Sequence, residues 1–282
     1  MCGGSPTAAT LSSFRSPLDS ESETDRSELN TLLCYVEHAA VIRTCVQSLW
    51  IGARLSTIQQ LSIRSFLARG HEFVLYAYDV IDGVPPGTCC KDAREILPRE
   101  RVFVYANGFG KGSPSGFSNY FRYKLLLEKG GWWVDLDTVC LKSFDTLVNE
   151  HVLGYQRTPS GTLKVAAGVI KAPAQSELMR LCWEHVDALA PEAVRWGQTG
   201  PALVDAKVRE LGMEGCVLPP HVFYQINHWQ IDDFLQGTVL PANSYATHLW
   251  GARWQTDQRS PDSLYPKHSL FERLKAQYLT ET

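Results

Sequence analysis

The 282-residue sequence contains no run approaching the ~20 consecutive apolar residues of a membrane-spanning helix. A basic excess is missing too: 27 Lys and Arg stand against 30 Asp and Glu, a formal net charge of -3. Proteins that track nucleic-acid phosphates show a positive surplus or stripe, so nucleic acid is excluded as a partner class, and any phosphate bound belongs to a small ligand. Eight cysteines are present, but Cys2, Cys34, Cys45, Cys89, Cys90, Cys140, Cys182 and Cys216 form no C-x-x-C pair. They read as reduced thiols of a reducing compartment, with the adjacent Cys89 and Cys90 in an ordinary loop. Residues 1–30 lack the basic start and apolar run of a secretory signal, which gives the expectation of a cytoplasmic location. The same stretch is rich in Ser, Thr and acids, so residues 1–44 are expected to form a largely disordered or weakly docked extension.

What is present is a large-domain composition, with 44% hydrophobic residues, enough to bury a substantial core without staples. A helix is predicted over 29–43. From residue 45 onward, apolar runs closed by turn residues alternate with helical periodicity. "CVQSLWIG" (45–52), "EFVLYAY" (72–78) and "RVFVYA" (101–106) read as strands. A helix over 56–70, capped by Ser56 and ended by Gly70, and a short one over 92–97 separate them. A glycine-rich loop, "NGFGKGSPSGF", leads into a helix over 118–131, and "WWVDLDTVCL" (132–141) reads as one strand. Strands near 151–155 and over 163–172 and helices over 176–189 and 201–211 follow, the last with Pro201 in its first turn. The segments 221–229 and 245–254 are aromatic and read as mostly irregular. This order predicts an α/β fold with a Rossmann-like, mostly parallel sheet and helices on both faces, as one catalytic domain over 45–282.

Asp135 and Asp137 sit one residue apart on the apolar run. On a strand they share a face, and two such carboxylates repel unless a cation lies between them. Hard oxygen ligands favour Mg2+ or Mn2+, which bridge to phosphate oxygens. Three other accounts remain open at this point. The acids can simply meet water at a strand end. A haloacid-dehalogenase-like phosphohydrolase would use Asp135 as nucleophile, with Asp232 and Asp233 as distal acids. A dinucleotide site could use the glycines of "GFGKGS", although the spacing is not G-x-G-x-x-G.

Taken together, "FSNYFRYKLLLEKGGWWVDLDTVCLKSFD", "VQSLWIG", "AAGVIKAP", "QTGPAL", "HVFYQI" and "THLWGARW" resemble the glycosyltransferase family with a sugar-binding DXD motif. That family includes initiating α-1,6-mannosyltransferases, α-1,4-galactosyltransferases and capsule-type bacterial enzymes, and is related to large glucosylating toxins. The likeness runs in order over about residues 46–255. It implies a GT-A-type fold and a metal-dependent, retaining transfer of a hexose from a UDP- or GDP-sugar to a hydroxyl of a glycan or glycolipid, as in surface or capsular polysaccharide synthesis. Peripheral membrane association is compatible with such an acceptor, and a catalytically silent binding homologue is the non-enzymatic alternative.

The resemblance also distributes roles. Asp135, Asp137 and His248 would hold Mn2+ or Mg2+, with Asp135 shared between ribose and metal. Trp50 would stack on the base. Asn119 and Arg122, three apart on a helix, would reach the donor sugar and phosphate. Arg253 and the indole N–H of Trp250 or Trp254 would meet the diphosphate. Gln198 and Thr199 would be contacts for donor or acceptor sugar, with helix capping an equal account of Thr199.

Overall fold

Alternation along three strands divides the core in two. The structure, a computed structural model, describes residues 43–280; the expected helix over 29–43 and the extension over 1–44 lie outside it apart from Arg43 and Thr44. In β1 (Cys45–Trp50), β2 (Glu72–Ala77) and β4 (Gly131–Val134), Leu49, Val74, Tyr76 and Trp133 point to one side. Val46, Phe73, Leu75, Trp132 and Val134 point to the other. Successive strand residues alternate faces, so runs apolar on both faces belong to a sheet covered on both sides.

With β3 (Cys89–Asp92) and β8 (Val169–Ala172) the main sheet has the order β3-β2-β1-β4-β8. Its first four strands are parallel and β8 is antiparallel to β4. Helices α2 (Ser115–Lys129), α3 (Glu177–Asp187) and α4 (Pro201–Glu210) cover the first face, and α1 (Thr57–Ala68) packs on the second. The mostly parallel sheet with helices on both faces is the α/β arrangement expected from the sequence. The chain leaves β1 toward β2 and β3, then returns to place β4 on the opposite side of β1. Strand order therefore reverses between β1 and β4, and ligands of open α/β sheets bind in the crevice at the carboxyl ends of such a pair.

Smaller ladders build the rest: β5 (Thr138–Cys140) pairs antiparallel with β10 (Ala246–His248), and β6 (Leu153–Arg157) joins β7 (Leu163–Val165) to β9 (Val217–Leu218). Helices α5 (Gly251–Thr256) and α6 (Leu270–Tyr278) close the chain. No described helix is long and apolar enough to cross a membrane.

Five expectations differ from the structure. The strand over 101–106 does not form. Tyr105 spends its backbone N–H and C=O on Ser113 and Gly112 of its own loop, and Phe103 turns onto Phe117 and Tyr120 of α2. The free edge of β2 is filled by Cys89–Asp92, where the sequence placed Cys89 and Cys90 in a loop and started a helix at Asp92. The single strand over 132–141 breaks at Asp135–Asp137, and β5 leaves the main sheet. The strand over 163–172 splits at Ala166–Gly168, and the region 245–254 holds β10 and α5 rather than irregular chain.

One buried histidine ties the sheet's amino end to the turn after β5. His71 Nε2 accepts the Phe144 N–H at 3.0 Å, and burial holds its pKa below the ordinary imidazole value although Asp145 pulls the other way. A folded value below the unfolded one means that the unfolded chain takes up the proton first, so this stability is present above pH ~6.5 and lost as pH falls through the lowered value. Urea titrations should show wild type losing about 1 kcal/mol on going from pH 7 to pH 5 through this contact. His71→Gln, whose amide oxygen accepts the same N–H at any pH, should remove that dependence.

Candidate functional site

At the carboxyl end of β4 the chain enters a two-residue turn, and the turn brings the acids together. Asp135 donates its backbone N–H to Gly168 O at 2.7 Å and accepts Thr138 N–H at 3.0 Å. Asp137 follows in the same turn. Strand alternation is therefore the wrong reason for their convergence. It does explain Trp133 and Asp135, two residues apart, whose indole N–H and Oδ1 meet at 2.9 Å.

His248 arrives from β10, registered opposite Thr138. Its Nε2 lies 3.2 Å from Asp137 Oδ1 and 3.7 Å from Asp135 Oδ2. Ligand atoms of Asp135, Asp137 and His248 all fall within 4.8 Å of one another. Each carboxylate also has a fixed partner of its own. Arg122 Nη2 on α2 reaches Asp135 Oδ1 at 2.5 Å, while its Nη1 donates to Ala167 O and its guanidinium stands 4.9 Å from the Trp133 ring centroid. The backbone N–H of Gly251, the first residue of α5, donates to Asp137 Oδ2 at 2.7 Å.

These partners treat the two acids unequally. Burial pushes the Asp135 carboxyl up, but Arg122 and His248 outweigh it and hold the pKa below the usual carboxylate value. For Asp137, burial and the neighbouring Asp135 charge prevail over His248, and its pKa is raised. Burial opposes protonation of His248, yet the two carboxylates raise its pKa. His248 Nδ1 accepts the Trp250 backbone N–H at 3.1 Å, which puts a neutral ring's proton on Nε2, between imidazole and acids. The group thus holds a proton where a cation would sit.

Local backbone chemistry leaves room for one. A methyl group on Gly168 would come 3.0 Å from Asp135 Oδ2 and from His248 Nε2, and one on Gly251 would come 3.3 Å from Asp137 Oδ2. Two hard carboxylates and an imidazole, bordered by two glycines, fit a small divalent ion. Ligation through Nε2 requires the ring proton on Nδ1, so the Trp250 contact is given up in that state.

Of the other sequence-derived candidates, Trp50 ends β1 beside β4, half buried, and its indole N–H has no partner among the described residues. Asn119 faces the same region as Arg122, but its amide donates to Thr199 Oγ1 at 3.1 Å. Thr199 is thereby committed to α2 and is not a helix cap, since Gly200 holds that position. Gln198 does not reach the acids; its amide oxygen accepts the Arg195 N–H of its own loop at 3.1 Å. Arg253 is paired with Asp257 at 3.0 Å along α5.

Both tryptophans are spent elsewhere as donors. Trp254 is 0% exposed, its N–H bonded to Leu249 O at 2.8 Å, so it belongs to the core rather than to a donor site. The Trp250 N–H is taken by Ile226 O at 2.7 Å, although its ring lies 4.3 Å from His248. The sequence reading missed Trp133, Ala167 O, Gly168 and the Gly251 N–H. The small run Ala166-Ala167-Gly168 was the available signal, because only small residues let backbone approach a site this closely.

Two alternatives fall at this point. Asp232 and Asp233 lie on a separate 3-10 turn, Asp232 paired with Arg259, and they do not join the Asp135 group, so the phosphohydrolase set is not assembled. The glycine loop follows no strand, which removes the dinucleotide reading.

Residues 101–153 match the family described as "Glycosyltransferase sugar-binding region containing DXD motif". The matched segment contains Arg122, Asp135 and Asp137, in agreement with the resemblance read from the sequence. No curated protein sequence matches the chain. Similar solved structures include the PaToxG glycosyltransferase, at 13% identity and TM-score 0.44, covering 90% of this chain and 94% of that one. The glycosyltransferase GlyE of Streptococcus pneumoniae TIGR4 is 15% identical with TM-score 0.46, covering 85% and 61%. The galactosyltransferase LgtC, solved with donor and acceptor sugar analogs, is 10% identical with TM-score 0.44, covering 85% and 98%.

Two substitutions separate support from occupancy. Arg122→Met removes the buried partner of Asp135 and should lower unfolding free energy by on the order of 3 kcal/mol in guanidinium titrations. Gly168→Ala should leave the chain folded, because the backbone of this residue lies outside the left-handed region. Its added methyl should nonetheless weaken Mn2+ binding at least tenfold by calorimetry.

Proposed function

We propose that this chain is a metal-dependent glycosyltransferase that transfers a hexose, with retention of configuration, from a nucleoside-diphosphate sugar to a hydroxyl of a glycan or glycolipid. The observation that carries this reading is the convergence of Asp135, Asp137 and His248 within 4.8 Å at the point where strand order reverses, inside a glycosyltransferase sugar-binding region.

In this reading Asp135, Asp137 and His248 hold Mn2+ or Mg2+, and the ion supplies Lewis-acid neutralisation of a diphosphate leaving group. The protein's own groups do the rest. Arg122 fixes Asp135 in its ionised form and orients it. Gly251 N–H keeps Asp137 from rotating out of the turn. Trp50, at the neighbouring strand end, offers an indole face to the base. Asn119, already linked to Thr199, borders the sugar side, and exchange of its amide for a contact with a sugar hydroxyl is chemically even. Arg253, one turn into α5, is the cation available to the phosphates once it leaves Asp257. Retention and the hexose follow from the resemblance, as do the UDP or GDP portion and an acceptor in surface or capsular polysaccharide, placed in the cytoplasm or at its membrane face.

Thermal unfolding tests the reading first. UDP or GDP at a hundredfold excess over its Kd should stabilise the chain by about 2.7 kcal/mol when Mn2+ is present and not when it is omitted. The Asp137→Ala variant should lose that response together with Mn2+-dependent hydrolysis of the matching nucleotide sugar. An unchanged response in Asp137→Ala sinks the site, and Mn2+-dependent nucleotide binding without hydrolysis or transfer points to the silent binding homologue instead. The anomeric configuration of the first product, read by proton NMR, tests retention.

A further inference from the structure

Two loops converge beside the amino end of α2, and together they expose aromatic surface. The first, residues 105–113, is tied by Tyr105 N–H to Ser113 O at 3.1 Å and Gly112 N–H to Tyr105 O at 2.9 Å. It turns through three left-handed glycines, Gly108, Gly110 and Gly112. The second carries Trp196 and is tied by Gln198 to Arg195. Trp196 rests on the buried Tyr105 at 5.4 Å between ring centroids and meets Phe109 edge-on at 4.8 Å. Yet Trp196 stays 40% and Phe109 46% exposed.

Packing has been arranged around that indole. A Cβ on Gly110 would come 2.3 Å from Trp196 Cε3, so only glycine lets this ring lie flat on the loop. An exposed Trp and Phe, fixed in place by the tilted Tyr105 ring beneath and a glycine seat, do not gain from folding what burial would give them. They present a rigid, preorganised face instead.

Position gives the face a context. A helix that precedes a parallel strand begins at the sheet edge where those strands end, so the amino end of α2 lies on the side of Trp50 and Asp135. The Trp196 loop is joined to that helix by Thr199, which accepts from Asn119 at 3.1 Å and receives the Tyr123 hydroxyl on its carbonyl at 2.7 Å. Asn119 is one helical turn from Arg122, and Arg122 holds Asp135. The aromatic face is therefore linked through α2 to the helix position that holds Asp135, and none of its residues is needed to hold a cation.

We propose that Trp196 and Phe109 form a subsite for the acceptor, taking a pyranose ring by its apolar face. The C–H edges of a sugar carry partial positive charge and suit the negative face of an indole, while the exposed rim leaves the hydroxyls in water. This rests on the glycosyltransferase reading for the word acceptor, but the sugar binding itself does not.

The test uses the full chain without nucleotide or metal. Methyl glucoside, methyl galactoside, methyl mannoside, lactose, maltose and cellobiose are titrated by saturation-transfer NMR and tryptophan fluorescence. At least one should bind wild type, with saturation strongest at the C–H protons of a single ring. Its affinity should fall at least tenfold in Trp196→Ala and in Phe109→Ala, and less in Trp196→Phe. Gly110→Ala, which displaces the indole without removing it, should also weaken binding. Thermal unfolding of each variant identifies any that fail to fold, and the remaining ones decide. The proposal is overturned if no saccharide binds wild type, or if binding is equal in the folded variants. Failure of the Mn2+-dependent nucleotide response in wild type would sink the glycosyltransferase reading and leave the saccharide result standing.

Discussion

Two carboxylates crowded into one turn repel each other, and everything around Asp135 and Asp137 answers that repulsion. Arg122 neutralises the first from a buried position, and a backbone N–H at the start of α5 steadies the second. His248 faces both, sharing a proton with them in the cation-free state. Burial, with the neighbouring Asp135 charge, still holds the Asp137 carboxyl above its ordinary pKa, so its negative charge is under-compensated there. A divalent ion relieves it more fully than a proton, and this is the reason for reading the cluster as a cation site rather than as an ornate ion pair.

The fold supplies the crowding. Reversal of strand order between β1 and β4 opens a crevice, and β4 ends there in a turn instead of continuing. The turn sends β5 out of the sheet to pair with β10, which delivers His248 from more than a hundred residues away. Ala166–Gly168, between β7 and β8, brings carbonyls against Arg122 and Asp135 with no side chain in the way. On the other side, α2 carries Arg122 to the acids and Asn119 to the Trp196 loop. One helix therefore links the cation cluster to the aromatic face.

Much of this was legible in the residues. The alternation of apolar runs and helical periodicity gave the sheet and its covering helices, and D-x-D with His248 in "THLWGARW" gave the cluster. What was not legible had local causes. "RVFVYA" has strand composition, but its aromatic side chains pack onto α2 and its backbone closes its own loop, while the polar "CCKD" completes an exposed edge where burial is not required. "WWVDLDTVCL" reads as one strand because nothing in composition marks a turn at Leu136. The tryptophans of "HLWGARW" looked equivalent as phosphate donors; backbone carbonyls of Ile226 and Leu249 take both N–H groups, and carbonyl positions are a property of the fold rather than of the motif. Trp133 and Gly168 were passed over because their value lies in contacts across the chain.

The account stands on one metal position. Crystals grown with Mn2+ and a nucleoside diphosphate, measured at the manganese absorption edge, report that position directly. The account predicts an anomalous peak in contact with Asp135, Asp137 and His248 Nε2, with the Trp250 N–H turned away from the imidazole. No peak at saturating Mn2+, or a peak elsewhere with the His248 ring still bonded to Trp250, would contradict it.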